Sequence, residues 1–247
     1  MRALITGAGV RLGRATALQL AQAGFDLTLH VHRSRDGAEA VAAEARALGR
    51  RVEILQADLS SAEDCARLAA EALSSGPLDA LVNNAALYER RALAEITLAE
   101  WEQMLAVNTR APFLLIQALA PALAQSTLTG GGAVVNIGDI GGERPEPGFA
   151  HYSVSKAGIL MLTRCLAAEL APRVRVNAVS PGAVLFPVEM PAAERATILS
   201  TVPLAREGRA EDIAAAVVFL ITQAPYVTGH TLNVDGGRLV SQLSREG

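Results

Sequence analysis

From its first residues almost to its last, the chain alternates short β-branched apolar runs with longer stretches of helical periodicity. That alternation constrains the fold more than any other feature, because strand, helix and strand in succession close as a crossover between parallel neighbours. The runs RALITG, FDLTLHV, VEILQA, LDALVNNA, AVVNIG, VRVNAVS and TLNVDGG read as about seven strands. Helices are expected near residues 12–23, 36–48, 62–73, 97–107, 111–125, 152–170 and 211–222. Only the stretch from about 181 to 208, with Pro181, Pro187, Pro191 and Pro203, breaks the rhythm, and residues 183–208 are expected to form a variable cover over a substrate. No linker-like shift in composition and no fixed-period repeat divides residues 1–247, so the expectation is a single α/β domain: a doubly wound parallel sheet with helices on both faces.

Composition matters chiefly for what it excludes. The formal charge is −3 and the basic residues are scattered among carboxylates, which leaves no electrostatic footprint for nucleic acid or an acidic membrane. Cys65 and Cys165 lack a CxxC or CxxH neighbour, so no metal site is expected and both read as buried or inert thiols. MRALITG runs straight into an apolar strand without the pattern of a secretory signal. No apolar run reaches the roughly 18 to 20 residues of a membrane span. The expectation is a cytoplasmic protein that acts on a small molecule.

TGAGVRLG, residues 6–13, lies where the first strand turns into the first helix. Gly7, Gly9 and Gly13 permit a tight turn and close backbone approach, and the helix start at Arg11, Leu12 and Gly13 offers free N–H groups to a pyrophosphate. This is the setting of a Rossmann-type dinucleotide site. The second strand ends in HVHRS, without the acid that an NAD site commonly turns toward the ribose. His30, His32, Arg33 and Ser34 offer donors instead, and the planar fork of Arg33 suits a 2′-phosphate, so the cofactor reads as NADP(H). In ADLS, Asp58 and its neighbour Leu59 follow the third strand, where the carboxylate is placed to accept from an adenine amino group.

The segment DIGGERPEPGFAHYSVSK, residues 139–156, brings the remaining chemistry. Tyr152 and Lys156 share a helix face by their i, i+4 spacing. An ammonium beside a phenol favours phenolate, so the Tyr152 pKa is expected to fall below its usual value of about 10. Such a group delivers protons near neutral pH. His151, next to the tyrosine, reads as a loop residue rather than a general base.

Over essentially its whole length the chain resembles the short-chain dehydrogenase/reductase family, through TGAGVRLG, NNAA at 83–86, Asn108 in VNTRAPF, YSVSK at 152–156, SPG at 180–182 and VDGG at 234–237. The resemblance implies that Tyr152 donates the proton, that Lys156 binds the nicotinamide ribose and lowers the tyrosine pKa, and that Asn108 helps to hold a relay water. It also implies that Asn84 and Ala85 line the adenine-ribose side of the cofactor, that Pro181 and Gly182 reach it as well, and that the protein is a homotetramer. Two departures, Arg11 in place of a glycine and Asp139 in place of a serine, resemble the pteridine reductase branch, which includes dihydromonapterin reductases. HVHRS, Tyr88 and PGAVLFPVEMP at 181–191 look like that branch too.

The implied reaction is NADPH-dependent reduction of a pterin or dihydropteridine, of the dihydromonapterin, dihydrobiopterin or dihydrofolate kind. Hydride goes to carbon and a proton to the adjoining nitrogen. Catalysis then falls to Asp139, Tyr152, Lys156 and Asn108, and substrate binding to Arg11, Tyr88, Asp139 and Tyr152. Two alternatives stand beside it. One is a general carbonyl or 3-oxoacyl-thioester reductase, against which Asp139 and Arg11 count. The other is a non-catalytic NADP-binding sensor, which has no chemical need for Tyr152, Lys156 and Asn108.

Overall fold

A parallel sheet covered on both faces needs strands that are apolar at successive positions rather than at alternate ones. RALIT, ALVN, GAVVNI and VRVNAVSP meet that demand, and every residue in these four strands is buried. The computed structural model describes residues 1–187 and 189–241. Among them, seven strands form one sheet: β1 (Arg2–Thr6), β2 (Asp26–Val31), β3 (Val52–Gln56), β4 (Ala80–Asn83), β5 (Gly132–Ile137), β6 (Val174–Pro181) and β7 (Thr231–Val234). They pair in parallel in the order β3-β2-β1-β4-β5-β6-β7. The order reverses between β1 and β4, and that crevice is where a doubly wound sheet takes its ligand.

The helices are α1 (Arg11–Gln22), α2 (Arg35–Ala47), α3 (Ala62–Ser74), α4 (Leu98–Leu105), α5 (Ala111–Leu123), α6 (Ala150–Leu170), α7 (Ala192–Leu199) and α8 (Ala210–Thr222). Alternate residues of each strand face opposite layers. Thus Ala3 and Ile5 of β1 enter a core shared with Leu20 of α1, Val41 of α2 and Val217 of α8. Leu4 enters a second core with Leu68 of α3, Leu115 of α5 and Leu166 of α6. No helix among the described residues is long and apolar enough to cross a membrane.

Three local outcomes differ from the sequence reading. The two helices expected after β4 form one helical path, α4 passing through a π turn at Ala106–Arg110 into α5, and the turn carries Asn108. The proline-rich stretch contains α7, because Pro191 precedes the first turn and AAERATIL supplies good helix formers. Val188 of that stretch lies outside the described residues. Cys65 is buried, but Cys165 faces outward from α6.

A buried polar ladder fixes α6 against the sheet. Asn83 Nδ2 donates to Asn136 Oδ1 at 2.8 Å, Asn136 Nδ2 to the Thr163 hydroxyl at 2.9 Å, and that hydroxyl to the Ile159 carbonyl at 2.8 Å. Each bond removes an unsatisfied buried group that would otherwise cost stability.

His30 corrects one expectation outright. Its side chain is not a donor for a phosphate but a core group of β2. Nδ1 accepts from the Gly7 N–H at 3.3 Å, and Nε2 lies 3.1 Å from the Ala57 carbonyl oxygen. Acceptance at Nδ1 fixes the neutral Nε2–H tautomer, which donates to Ala57. Burial lowers its pKa from 6.5 to about 4. A depressed imidazole pKa means the fold prefers the neutral ring, so this stabilisation is complete above an ordinary histidine pKa and is lost as pH falls toward about 4. Denaturant unfolding should show that His30 alone makes the protein about 2 kcal/mol less stable at pH 5 than at pH 7. A His30→Asn variant should lose that share of the pH dependence, and an undiminished pH dependence would contradict the assignment.

Candidate active site

The crevice between β1 and β4 is closed by side chains that hold two strand ends together. The Thr6 hydroxyl accepts from the backbone N–H groups of Asn84 and Ala85 at 2.9 and 3.0 Å. Asn84 Nδ2 donates back to the carbonyls of Thr6 and Gly7 at 2.8 and 3.1 Å. Packing is so tight that a Cβ on Gly13 would sit 2.1 Å from the Gly7 oxygen, and Gly7 itself has φ +66. These glycines therefore answer to close packing and to the left-handed region that other residues avoid. Arg11 also lies in that region, at φ +50, which accounts for the glycine that the family pattern usually has there.

Val10, before α1, supplies no side-chain cap. The first N–H groups of α1 and its positive end are thus free for an anion, which fits the pyrophosphate of a dinucleotide. At the end of β2, His32, Arg33 and Ser34 are exposed, as recognition of a solvent-facing phosphate requires. Asp58 Oδ1 accepts from both the N–H and the hydroxyl of Ser60, at 2.9 and 2.8 Å, and these bonds hold its pKa down. The Leu59 side chain is core, so only its main chain is left for the site. Leu12 packs partly buried beside Ala15, Ala210 and Leu185. Pro181 ends β6 and Gly182 follows it, donating to the Val234 carbonyl at 3.1 Å.

Beyond β5 the structure brings together Asp139, Tyr152 and Lys156. Tyr152 is 6% exposed and Lys156 3%. The Tyr152 hydroxyl donates to Asp139 Oδ2 at 2.9 Å, and Asp139 Oδ1 accepts from the Gly141 N–H at 2.6 Å. Lys156 Nζ donates to the Ile137 carbonyl at 2.9 Å and lies 5.8 Å from the centre of the tyrosine ring.

The electrostatics reverse what the Tyr-Lys spacing implies. Burial, and then the Asp139 carboxylate, push the Tyr152 pKa well above its ordinary value. Burial raises Asp139 as well. Burial also lowers Lys156 to about 8, with Asp139 opposing the fall. Desolvation and a neighbouring negative charge act on the phenol with the same sign, and the ammonium, bonded to a carbonyl on the ring side, does not overcome them. Burial thus disfavours ionisation of both groups, and the phenolic proton lies between the Tyr152 hydroxyl and Asp139. A proton given up by the phenol can be replaced through the carboxyl.

An aromatic wall borders this pair. Tyr88 stacks on Phe149 with centroids 5.1 Å apart and meets Tyr152 edge-on at 4.9 Å. Phe149 also meets Tyr152 edge-on, at 6.2 Å. Tyr88 is 62% exposed, so it remains open to a ligand. Phe149, which the sequence reading does not name, is the residue just before the first turn of α6, where no motif marks it. Asn108 takes part through the backbone of Leu87: its Oδ1 accepts from the Leu87 N–H at 2.8 Å, and its Nδ2 donates to the Leu87 carbonyl at 2.9 Å and to the Ser155 hydroxyl at 3.0 Å. That side chain therefore sets the path from Asn84 to Tyr88. His151 is in the first turn of α6 and wholly buried, not in a loop. Arg11 points elsewhere, donating to the Leu185 carbonyl.

A cradle for a dinucleotide beside a buried proton donor is the equipment of a nucleotide-dependent oxidoreductase. Residues 7–238 match the family model described as enoyl-(acyl carrier protein) reductase, and the chain belongs to the short-chain dehydrogenase/reductase family. It is 36% identical over 240 residues to a 3-oxoacyl-[acyl-carrier-protein] reductase of Staphylococcus aureus, an alignment covering 95% of this chain and 96% of the relative. A short-chain dehydrogenase of Burkholderia cenocepacia solved with NADP superposes with TM-score 0.89 at 34% identity, over 96% of this chain and 97% of that one. Alternative dihydrofolate reductase 1 of Brucella canis, solved with NADP, superposes with TM-score 0.88 at 32% identity, over 99% of this chain and 96% of that one.

The raised Tyr152 pKa predicts a spectroscopic outcome. In an alkaline absorbance titration referenced to Tyr152→Phe, the signal of this phenol should appear at lower pH once Asp139→Asn removes the neighbouring charge. An unchanged titration would show that the carboxylate does not act on the phenol.

Proposed function

We propose that the protein is an NADPH-dependent reductase of a pterin or dihydropteridine. The observation that supports this reading most is the 2.9 Å hydrogen bond from the Tyr152 hydroxyl to Asp139. Reducing a pterin C=N bond adds hydride at carbon and a proton at the adjoining nitrogen. A ketone needs only one donor at its oxygen, which a tyrosine supplies; a weakly basic ring nitrogen benefits from a donor backed by a second acid. Tyr88 would stack on a flat ring for about 0.5–1.5 kcal/mol. The Brucella canis neighbour, described as a dihydrofolate reductase, supports the same substrate class.

For the cofactor we assign NADP(H), which supplies the hydride when bound. Gly7, Leu12, Gly13 and the main chain of Arg11 would cradle its pyrophosphate, with Asn84 and Ala85 beside its ribose and Asp58 and the Leu59 main chain near its adenine. His32, Arg33 and Ser34 would meet the 2′-phosphate, and Lys156, Pro181 and Gly182 would flank the nicotinamide end. The two neighbours solved with NADP support this choice. We also assign a cytoplasmic homotetramer; outward-facing Phe113 of α5 and Val154 and Met161 of α6 suit a subunit contact. Residues 183–208 would act as the substrate cover. Glu207 holds that segment by accepting from the Phe186 N–H at 2.7 Å and pairing with Arg195 at 3.1 Å.

A second reading, reduction of a 3-oxoacyl thioester, is favoured by the Staphylococcus aureus relative, which is described as a 3-oxoacyl-[acyl-carrier-protein] reductase. On that reading Tyr152 would protonate the developing alkoxide and Asp139 would be dispensable. NADPH oxidation measured with a panel of dihydropterins, dihydrofolate and oxoacyl thioesters separates the two. The leading reading predicts that a dihydropterin exceeds every thioester in kcat/KM by about tenfold or more, equivalent to about 1.4 kcal/mol in the transition state. Turnover of thioesters with no response to any pterin would replace it with the second reading.

A further inference from the structure

We propose that Arg238, on the segment after β7, is a positioning residue for the substrate wall. Its side chain is only 18% exposed. Asp235 shapes the turn that delivers it, accepting from the N–H groups of Gly237 and Leu239 at 2.9 and 2.6 Å. From there the guanidinium reaches two other segments at once. Nε donates to the Thr201 hydroxyl, just past α7, at 3.0 Å, and Nη2 pairs with the Glu146 carboxylate in the loop between β5 and α6. The loop returns the contact, because Arg144 Nη1 donates to the Arg238 carbonyl at 3.0 Å.

Glu146 connects this clasp to the reacting centre. Its carboxylate takes Arg238, while its backbone carbonyl accepts from the Phe149 N–H at 3.2 Å. Phe149 then stacks on Tyr88 and meets Tyr152 edge-on. Arg238 is thus three steps from the phenol, through Glu146 and Phe149, and its hydrogen bonds touch none of the residues of the glycine loop or of HVHRS. An isolated surface ion pair contributes little. A mostly buried guanidinium that donates in two directions defines geometry in a way that the single point charge of a lysine does not.

The proposal rests on Tyr152 as the reacting centre and holds for either substrate class, so its test must survive failure of the pterin reading. Arg238→Ala and Glu146→Gln should each raise the KM of whichever substrate is turned over by about tenfold, with kcat within about twofold, the signature of lost uniform binding. NADPH affinity should not change, and the double variant should be no worse than either single one. Hydrogen exchange without substrate gives a readout independent of activity: amides of residues 146–153 should exchange faster in both variants, and those of residues 7–13 should not. Glu146→Gln keeps the loop backbone and serves if Arg238→Ala does not fold. An unchanged KM, a parallel loss of NADPH affinity, or unchanged exchange in residues 146–153 would each overturn the proposal.

Discussion

The bond from the Tyr152 hydroxyl to Asp139 depends on three elements being held rigidly in register. Asp139 sits just past β5 in extended backbone, with one carboxylate oxygen tied to the Gly141 N–H. Tyr152 projects from the first turn of α6, and α6 is fastened to the sheet by Lys156 on the Ile137 carbonyl and by the Asn83, Asn136 and Thr163 ladder. The Lys156 bond and the ladder are buried, where a missing partner costs most and a made bond leaves least freedom. The acid pair is therefore a consequence of how β5 meets α6. The shifted proton affinities follow from burial of both groups, with the Asp139 carboxylate adding to the rise of the phenol.

The site has two sides with separate supports. The side we assign to the cofactor is backbone and small residues, Gly7, Gly13 and Asn84, stapled across the switch point by Thr6. The side we assign to the substrate is aromatic, Tyr88 and Phe149, and rests on loops joined through Asn108 and Glu146. Such a division lets one sheet serve different substrates: the first side stays tied to the sheet, while the second is carried on connections that tolerate change.

The fold was legible because its signal is spread over the whole chain: each buried parallel strand had to be a continuous apolar run, and each helix had to follow it. The glycine loop and the tyrosine and lysine were legible because their chemistry depends on local spacing. What sequence could not show was depth. His30 reads as a neighbour of His32 and Arg33, yet it lies within β2, which is covered on both faces, while they lie past the strand's end, and burial keeps it neutral. A tyrosine four residues before a lysine suggests a lowered pKa, but the burial and the neighbouring carboxylate that reverse the sign are properties of the folded pocket. Phe149 stacks on Tyr88, and Arg238 donates to Thr201 and Glu146; these partners lie far away in the chain and no short motif marks the pairs.

In the proposed reaction Asp139 backs the phenol for protonating a ring nitrogen and is unnecessary for a ketone oxygen. Exchanging Asp139→Ser and comparing kcat/KM for a dihydropterin and a 3-oxoacyl thioester tests it most directly. The account predicts that the pterin value falls by about a hundredfold, the low end of what a positioned acid contributes, while the thioester value stays level or rises. Equal losses on both substrates, or full retention of pterin reduction, would contradict it.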